Sequence, residues 1–363
     1  MNKIITRREA LSWLALTTTA FLTACQNIVR PTSTTSPAVG PTHTSTKPPE
    51  STATPQPTKP QETQTPTAMP MAKVYMTTDI STDGLMLVYQ TLGRKANGKV
   101  AVKISSGEPG GHHFLSPDLI APLVQEVNGT IVECNTAYGG GRADTESHQR
   151  VMEAHGFSAI APTDIMDADG TMSIPITGGK HLQEDVVGSH FADYDFVVNL
   201  AHFKGHAMGG FGGVIKNMSI GIASSMGKSL IHSAGTQTVG YGIGTPQDDF
   251  LESMAEAAKG VADYLGENIL YINVLNNLSV DCDCDGYPAA PTMNDIGILA
   301  SLDPVALDQA SVDLIYAAPD GKDLILRMES RNGVHTLEHG EAIGLGSREY
   351  ELVNIDETIK VTP

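Results

Sequence analysis

The chain reads Asp195-Phe-Val-Val-Asn-Leu-Ala201 and then enters a glycine-dense tract, His202-Phe-Lys-Gly-His-Ala-Met-Gly-Gly-Phe-Gly-Gly-Val-Ile-Lys-Asn217. The first segment is a short apolar run rich in β-branched residues, which predicts a buried strand. Ligands of open α/β sheets gather at the carboxyl ends of the strands. We therefore expect the functional site at the junction of strand and tract.

Similar apolar runs alternate with helix-compatible stretches on both sides of this strand, which is typical of parallel sheets with crossover helices. The other predicted strands are residues 74–78, 99–104, 130–135, 269–274 and 296–301, with an edge strand at 350–355. The predicted helices are residues 84–95, 117–127, 145–155, 250–265 and 304–317, the last capped by Asp303. The predicted fold class is α/β, with parallel or mixed sheets and crossover helices in two intimately packed Rossmann-like halves.

The composition excludes some classes of function. The 363 residues carry a formal net charge of −18, which argues against binding to nucleic acid. The four cysteines are too few and too scattered for a disulfide framework or a four-cysteine run, so no ferredoxin-type iron–sulfur cluster is expected. Cys134 ends a predicted buried strand and is expected to be a core thiol.

The amino-terminal region predicts export and lipid anchoring. Arg7-Arg8 precede a short apolar stretch and then Leu22-Thr-Ala-Cys25, which is typical of a twin-arginine signal joined to a lipoprotein processing site. Residues 1–24 are then a signal peptide, and residues 25–71 are a lipidated Cys25 with a disordered Thr/Pro/Ser-rich tether. Residues 72–363 form the α/β domain. The expected partners are the export machinery and the membrane, with the protein anchored in the cell envelope.

Chemistry is concentrated at His206, Lys216 and His232. Glycines let the backbone approach a ligand closely, while two imidazoles and an amine supply proton transfer, metal ligation and an attachment point. These three residues are the candidates for catalysis, cofactor attachment and metal binding. Cofactor contacts are predicted for Lys216 and for Gly210, Gly212, Gly213 and Lys228.

Some predicted ligands have ordinary alternatives. His202 lies four residues before His206, as metal ligands on one helical face often do, but the glycines of the tract oppose a regular helix. Either histidine could instead be hydrogen-bonded near a turn, and Lys228 could be a surface lysine.

A second cluster, Cys282-Asp-Cys-Asp-Gly286, adds two thiols between carboxylates. Two thiolates one residue apart can clip a soft or borderline metal ion, and Cys282 and Cys284 are predicted as metal ligands. They could also form a reducible disulfide or an inert turn. Asp295, Asp303 and Asp308 are expected to be caps and structural carboxylates.

These motifs carry a resemblance that spans nearly all of the predicted domain. Asn199-Leu-Ala-His-Phe-Lys-Gly-His206, Gly210-Phe-Gly-Gly-Val-Ile-Lys-Asn217 and Cys282-Asp-Cys-Asp-Gly286 resemble the family labelled domain of unknown function 362, or iron–sulfur centre protein. A fourth matching segment runs from Asp295 to Asp308. Many members carry an inserted ferredoxin segment, and this chain has none between His232 and Gln247.

The tract also resembles, more distantly, that of lactate racemases, which have a histidine, a glycine-rich stretch, a lysine and a further histidine. The resemblance implies that Lys216 holds a nickel-pincer nucleotide, that His232 ligates nickel and that His206 is the acid/base. The glycine pattern differs by one position. The racemases' second catalytic histidine is replaced by Gly140-Gly141-Arg142, unless His148, His112 or His113 serves instead.

Three functions stay open on the sequence. The first is a metal- or nickel-pincer-dependent isomerase or oxidoreductase that acts on a small hydroxy acid. The second is a non-catalytic or redox metal-binding lipoprotein, and the third is a small-molecule-binding lipoprotein.

Overall fold

A mixed eight-stranded sheet forms the centre of the computed structural model, which describes residues 71–356. Its strands are β1 Ala72–Thr77, β2 Val100–Lys103, β3 Thr130–Glu133, β4 Thr163–Ile165, β7 Phe196–His202, β10 Ile269–Leu275, β11 Gly297–Ser301 and β12 Tyr350–Asn354. Two antiparallel hairpins lie outside it, and their strands are β5 Thr171–Pro175, β6 Glu184–Gly188, β8 Lys204–His206 and β9 Gly210–Gly212.

The strands are ordered β12-β1-β11-β10-β7-β2-β3-β4. Strands β10, β7, β2, β3 and β4 are mutually parallel, whereas β11 is antiparallel to both of its neighbours. The chain builds outward from β2 through β3 to β4, and then returns to the other side of β2 with β7. The topological switch point, where ligands of such sheets bind, is therefore the crevice between β2 and β7.

Helices cover both faces of the sheet. They are α1 Thr82–Thr91, α2 Pro117–Glu126, α3 Thr145–Ala154, α4 Phe157–Ile160, α5 Val214–Met218, α6 Ser225–His232, α7 Gln247–Leu265, α8 Pro304–Ala317, α9 Lys322–Ser330 and α10 His335–Ala342. Successive residues of a strand point to opposite faces, so Val197 and Val198 enter two different apolar cores. Every residue of β7 is buried, as its continuous apolar run predicted.

The structure confirms the predicted α/β class with its mixed sheet and crossover helices. The seven predicted strands and five predicted helices are all present, with ends shifted by a few residues. Asp303 caps α8 by accepting from the backbone N–H groups of Val305 and Ala306. The two predicted halves share one continuous sheet.

Several predictions concern residues outside the described range. Arg7, Arg8, Cys25, the tether before residue 71 and the last residues, 357–363, belong to this group. Within residues 71–356, no helix combines the length and the apolar character needed to cross a membrane.

Candidate metal and cofactor site

The glycine-dense tract is fastened to the switch point by Asn217. Its side-chain amide donates to the carbonyl oxygen of Lys103 on β2 at 2.9 Å and to the side-chain oxygen of Asn199 on β7 at 2.7 Å. Lys103 and Asn199 are paired in register. The short helix α5 is therefore held directly over the crevice between the two strands.

The amino end of α5 is held by Asp308 of α8. The buried carboxylate accepts from the backbone N–H groups of Val214 at 2.9 Å and Ile215 at 3.0 Å. Burial raises the pKa of Asp308 to about 6, against the lowering effect of these hydrogen bonds. A Cβ at Gly213 would lie 2.2 Å from the Asp308 carboxylate, so this position requires glycine. Asp308 is structural, as predicted. By holding Val214 and Ile215, it also sets the position of Lys216, the residue that follows them.

The amine of Lys216 makes no hydrogen bond or ion pair with any residue of the described range. The side chain folds over Gly212, where an added Cβ would lie 2.9 Å from its Cδ. Burial lowers the pKa of Lys216, and with the added effect of the charges of Lys103 and Arg142 it falls to about 8. A lysine of this kind is partly uncharged near neutral pH and is therefore nucleophilic.

His232 ends α6 with its ring held firmly. Its Nδ1 donates to the carbonyl oxygen of Lys228 at 2.6 Å, and the ring stacks on Phe250 with centroids 5.0 Å apart. Because Nδ1 keeps the proton, the lone pair of Nε2 is free, and within residues 71–356 this atom has no hydrogen-bond partner. Burial lowers the pKa of His232 to about 4, so the ring is neutral. Metal-binding histidines usually have this arrangement.

His206 is held in the opposite tautomer. Its Nδ1 accepts a hydrogen bond from the backbone N–H of Gly209 at 2.8 Å, so the proton of the neutral ring resides on Nε2. Burial holds the pKa of His206 well below its usual range, and the charges of Lys216 and His232 lower it further. His206 therefore presents a neutral N–H donor.

His206, Lys216 and His232 also influence one another electrostatically. The charge of Lys216 lowers the pKa of both histidines. The structure therefore gathers the three residues that the sequence singled out into one buried region beside the switch point. An anion bound there would stabilise the charged form of Lys216.

The cysteine cluster packs against the same tract. Cys282 and Cys284 are joined as a disulfide. Between them, the buried carboxylate of Asp283 accepts from His202 Nδ1 at 2.9 Å and from Lys204 Nζ at 2.8 Å. These two residues lie at the end of β7 and the start of β8, so an ion-pair network fixes the cysteine loop beside His206.

One ring nitrogen of His206 and the sulfur atoms of Cys282 and Cys284 all lie within 4.8 Å of one another. Imidazole with two thiolates is a donor set suited to zinc, copper or iron. His202 differs, because its Nε2 donates to the carbonyl oxygen of Asn276 at 2.8 Å while its Nδ1 faces Asp283. Both nitrogens are thus used, and His202 positions the loop in this arrangement.

The remaining predicted cofactor contacts have structural functions in the chain. The Lys228 amine is buried and donates to the carbonyl oxygens of Ala223 at 2.5 Å and Cys134 at 3.4 Å. Gly210 has a φ of +80°, which closes the hairpin between β8 and β9. Contact of Lys228, Gly210, Gly212 and Gly213 with a cofactor stays a prediction.

A buried network of charges that the sequence did not reveal lies at the ends of β2 and β3. Lys103 Nζ donates to Glu133 at 2.8 Å, and Arg142 forms ion pairs with Glu133 at 3.4 Å and Glu108 at 2.7 Å. Burial would raise the pKa of Glu133, but Lys103 and Arg142 lower it to about 2. The only sequence signal was the position of Lys103 and Glu133 at the last residue of each strand.

The three proposed substitutes for a second catalytic histidine lie in different settings. His148 is fully buried with Nε2 3.2 Å from Ser106 Oγ, and burial lowers its pKa to about 3. His112 is exposed and lines an open groove of about 620 Å³ with Phe114 and His155. The carbonyl of His113 accepts from Lys204. The groove is lined by neither His206, Lys216 nor His232.

Fold and site together define an α/β protein whose strand ends gather two histidines, a lysine and a cysteine pair at one switch point. Residues 100–313 match the family model described as Domain of unknown function (DUF362), and the chain belongs to that family. This segment contains every predicted site residue from His202 to Cys284.

The comparisons with curated proteins and with solved structures give less information than the family model. No curated protein matches the chain significantly. Among solved structures, the chain is similar to the lactate racemase apoprotein from Thermoanaerobacterium thermosaccharolyticum, with 16% identity and a TM-score of 0.37. The match covers 55% of this chain and 50% of that one, so the chain spans about half the length of the racemase. Similarity at this level carries no inference about activity.

Proposed function

We propose that this protein is a metal-dependent enzyme, an isomerase or oxidoreductase, that acts on a small hydroxy acid. The observation that carries the proposal is the pair of opposite tautomers at His206 and His232 beside an unpaired lysine. His232 offers a lone pair to a metal ion, His206 offers a proton to an oxygen atom, and Lys216 offers a nucleophilic amine.

These three residues fit a metal-organic cofactor of the nickel-pincer type, because such a group needs one covalent attachment and at least one nitrogen ligand. Lys216 would hold the organic part and His232 the metal ion. When bound, the cofactor would supply an electrophilic centre next to the reacting carbon. Before attachment, the charged amine of Lys216 would attract the phosphate of a nucleotide.

The protein's own part in the reaction is orientation and charge neutralisation. The Nε2–H of His206 would donate to the substrate's hydroxyl or carbonyl oxygen and stabilise negative charge that develops there. A neutral imidazole is suited to this task because it carries a directed donor without a competing charge.

The test is intact-mass measurement and elemental analysis of the protein purified from its native host. The proposal expects an adduct on Lys216 with one metal ion per chain, and expects both to be absent from Lys216→Ala. His232→Ala should keep the adduct and lose the metal ion. Unmodified Lys216 in folded, active protein would refute a covalent cofactor.

A second candidate function is a redox or metal-binding role at His206, Cys282 and Cys284, which the short separation of their ligand atoms favours. Metal binding there would require His206 to change the tautomer that the hydrogen bond from Gly209 holds. Reduction of the disulfide would release two thiolates beside the imidazole. Under this proposal the reduced protein binds Co²⁺ with strong thiolate charge-transfer absorption, and a Cys282→Ser, Cys284→Ser double variant does not. Equal binding by both proteins would exclude this site.

We further propose that the protein is exported and anchored through Cys25. Arg7-Arg8 and the Leu22-Thr-Ala-Cys25 sequence support this location.

A further inference from the structure

Two facing helices carry a second cluster of metal-binding side chains, away from the site described above. Helix α7 presents Glu252 and Glu256 one turn apart, and helix α10 presents His335 and His339 one turn apart. His335 Nε2 lies 3.2 Å from Glu252, and His339 Nε2 lies 3.1 Å from Glu256. Spacings of four residues place each pair on one helical face.

Glu252 is the centre of this cluster. Its Oε2 lies 2.5 Å from His181 Nε2 and 2.6 Å from Lys180 Nζ, while Oε1 faces His335. Burial would raise the pKa of Glu252, but the hydrogen bonds from Lys180, His181 and His335 lower it to about 2. The carboxylate is therefore ionised, and the side chains that hydrogen-bond to it can all move away from it.

Glu256 holds the loop that carries His181. Its fully buried carboxylate accepts from three consecutive backbone N–H groups, those of Lys180 at 2.8 Å, His181 at 3.0 Å and Leu182 at 2.8 Å. Supporting carboxylates of this kind fix the orientation of metal ligands. These backbone hydrogen bonds, together with the hydrogen bond between His181 and Glu252, therefore hold the His181 ring against Glu252.

We propose that His181, Asp249 and Glu252 bind a divalent transition-metal ion, with His335 hydrogen-bonded to Glu252 beside the ion. The ligand atoms of the first three residues all lie within 4.8 Å of one another. Imidazole nitrogens with carboxylate oxygens suit Zn²⁺ better than Mg²⁺ or Ca²⁺, which prefer oxygen ligands alone. Two carboxylates balance the charge of the ion.

Occupancy requires two local changes. The Nε2 atom of His181 must give up its hydrogen bond to Glu252 so that its lone pair can face the ion. Lys180 must leave Glu252, and 59% of its side chain is already exposed to solvent. Asp249 is also accessible, with 36% of its side chain exposed, so an ion can enter from solvent. The next residue on α7, Phe250, stacks on His232. The proposed ion would therefore stabilise the turn of α7 that packs against His232. This proposal does not depend on the function proposed for His206, Lys216 and His232.

The test measures Zn²⁺ binding to the full-length Cys282→Ser, Cys284→Ser protein, which lacks the thiolate site. We expect one Zn²⁺ per chain, with affinity weakened at least tenfold by His181→Gln and by Glu252→Gln. His190→Gln is the matched control, because His190 also lies between two carboxylates, Asp164 at 2.8 Å and Asp169 at 2.9 Å. It should bind Zn²⁺ as tightly as its parent.

Co²⁺ provides a second measurement in the same background. Bound Co²⁺ should give visible ligand-field bands without thiolate charge transfer, and these bands should vanish in His181→Gln. If Glu252→Gln does not fold, Asp249→Asn replaces it, since that side chain lies near the surface. Failure of the folded parent to bind Zn²⁺, or weakening of less than tenfold in the variants, would overturn the proposal.

Discussion

Which ring nitrogen keeps the proton decides what a histidine can do, and His206 and His232 are held in opposite states. A carbonyl oxygen can only accept, so Nδ1 of His232 must be protonated, whereas a backbone N–H can only donate, so Nδ1 of His206 must not be. The spacing of these residues predicted that they act together. Their different tautomers could be assigned only from the structure, which shows that Nδ1 of His232 faces the carbonyl oxygen of Lys228 and that Nδ1 of His206 faces the backbone N–H of Gly209.

The pH dependence of stability tests the buried, neutral state of His232. Burial lowers its folded pKa to about 4 from 6.5, so below pH 6.5 the unfolded chain takes up a proton that the folded chain refuses. The associated stability is complete above pH 6.5 and falls as the pH drops towards 4. Between pH 7 and pH 4 the wild type should lose about 3 kcal/mol more than His232→Gln, measured by urea unfolding. Parallel curves for both proteins would contradict this.

Lys216 and Lys228 should respond differently to the loss of their amines. Lys216→Met removes a charge that has no hydrogen-bond partner in the described range, so unfolding free energy should stay the same or rise. Lys228→Met leaves the carbonyls of Ala223 and Cys134 unpaired, which should cost about 1–3 kcal/mol. Urea denaturation of both variants checks the order, and a larger loss for Lys216→Met would contradict the assigned environments.

At the scale of elements, the site depends on how α5 is seated. Its five residues are too few for a stable helix alone. The helix persists because Asp308 accepts its first N–H groups and Asn217 fastens it to β2 and β7. These contacts also determine the position of Lys216.

Gly213→Ala should displace helix α5 from its position against Asp308. The new Cβ would lie 2.2 Å from the Asp308 carboxylate, so the hydrogen bonds to Val214 and Ile215 should break at a cost of about 2–4 kcal/mol. Gly139→Ala is the control, because nothing lies within 4 Å of its added Cβ, and it should change stability by less than about 1 kcal/mol. Equal effects in thermal or urea unfolding would show that Gly213 is not constrained by Asp308.

Regular elements could be predicted from the sequence where burial left a continuous pattern. The fully buried runs of β7 and β10 are mostly apolar and were recognised. Strand β5 was not, because three of its five residues are exposed and its pattern is weak. The partnership of Lys103, Glu133 and Arg142 was also missed, since only the adjacency of β2 and β3 brings these residues together.

At the scale of the whole molecule, the fold places the predicted site residues from His202 to Cys284 near the carboxyl ends of the central parallel strands. The tract follows β7, and α8 and the cysteine loop close on it from later in the chain. The formal charge of −18 gives the protein no net attraction for an anionic ligand, so binding of such a ligand would depend on local charges such as that of Lys216.

The proposed location predicts the behaviour of two variants in cells. Cys25→Ala should abolish lipid labelling and release the mature domain from the membrane fraction. Arg7→Lys with Arg8→Lys should leave the unprocessed chain inside the cell. Detection of labelled, membrane-bound Cys25→Ala protein would contradict anchoring through this residue.

The central claim is that His206, Lys216 and His232 form one cofactor site with separate functions. The most direct measurement is the intact mass and metal content of native-host protein beside its Lys216→Ala and His232→Ala variants. The account predicts an adduct and one metal ion in the wild type, neither in Lys216→Ala, and the adduct without the metal ion in His232→Ala. An unmodified, metal-free wild type that is folded and active would contradict it.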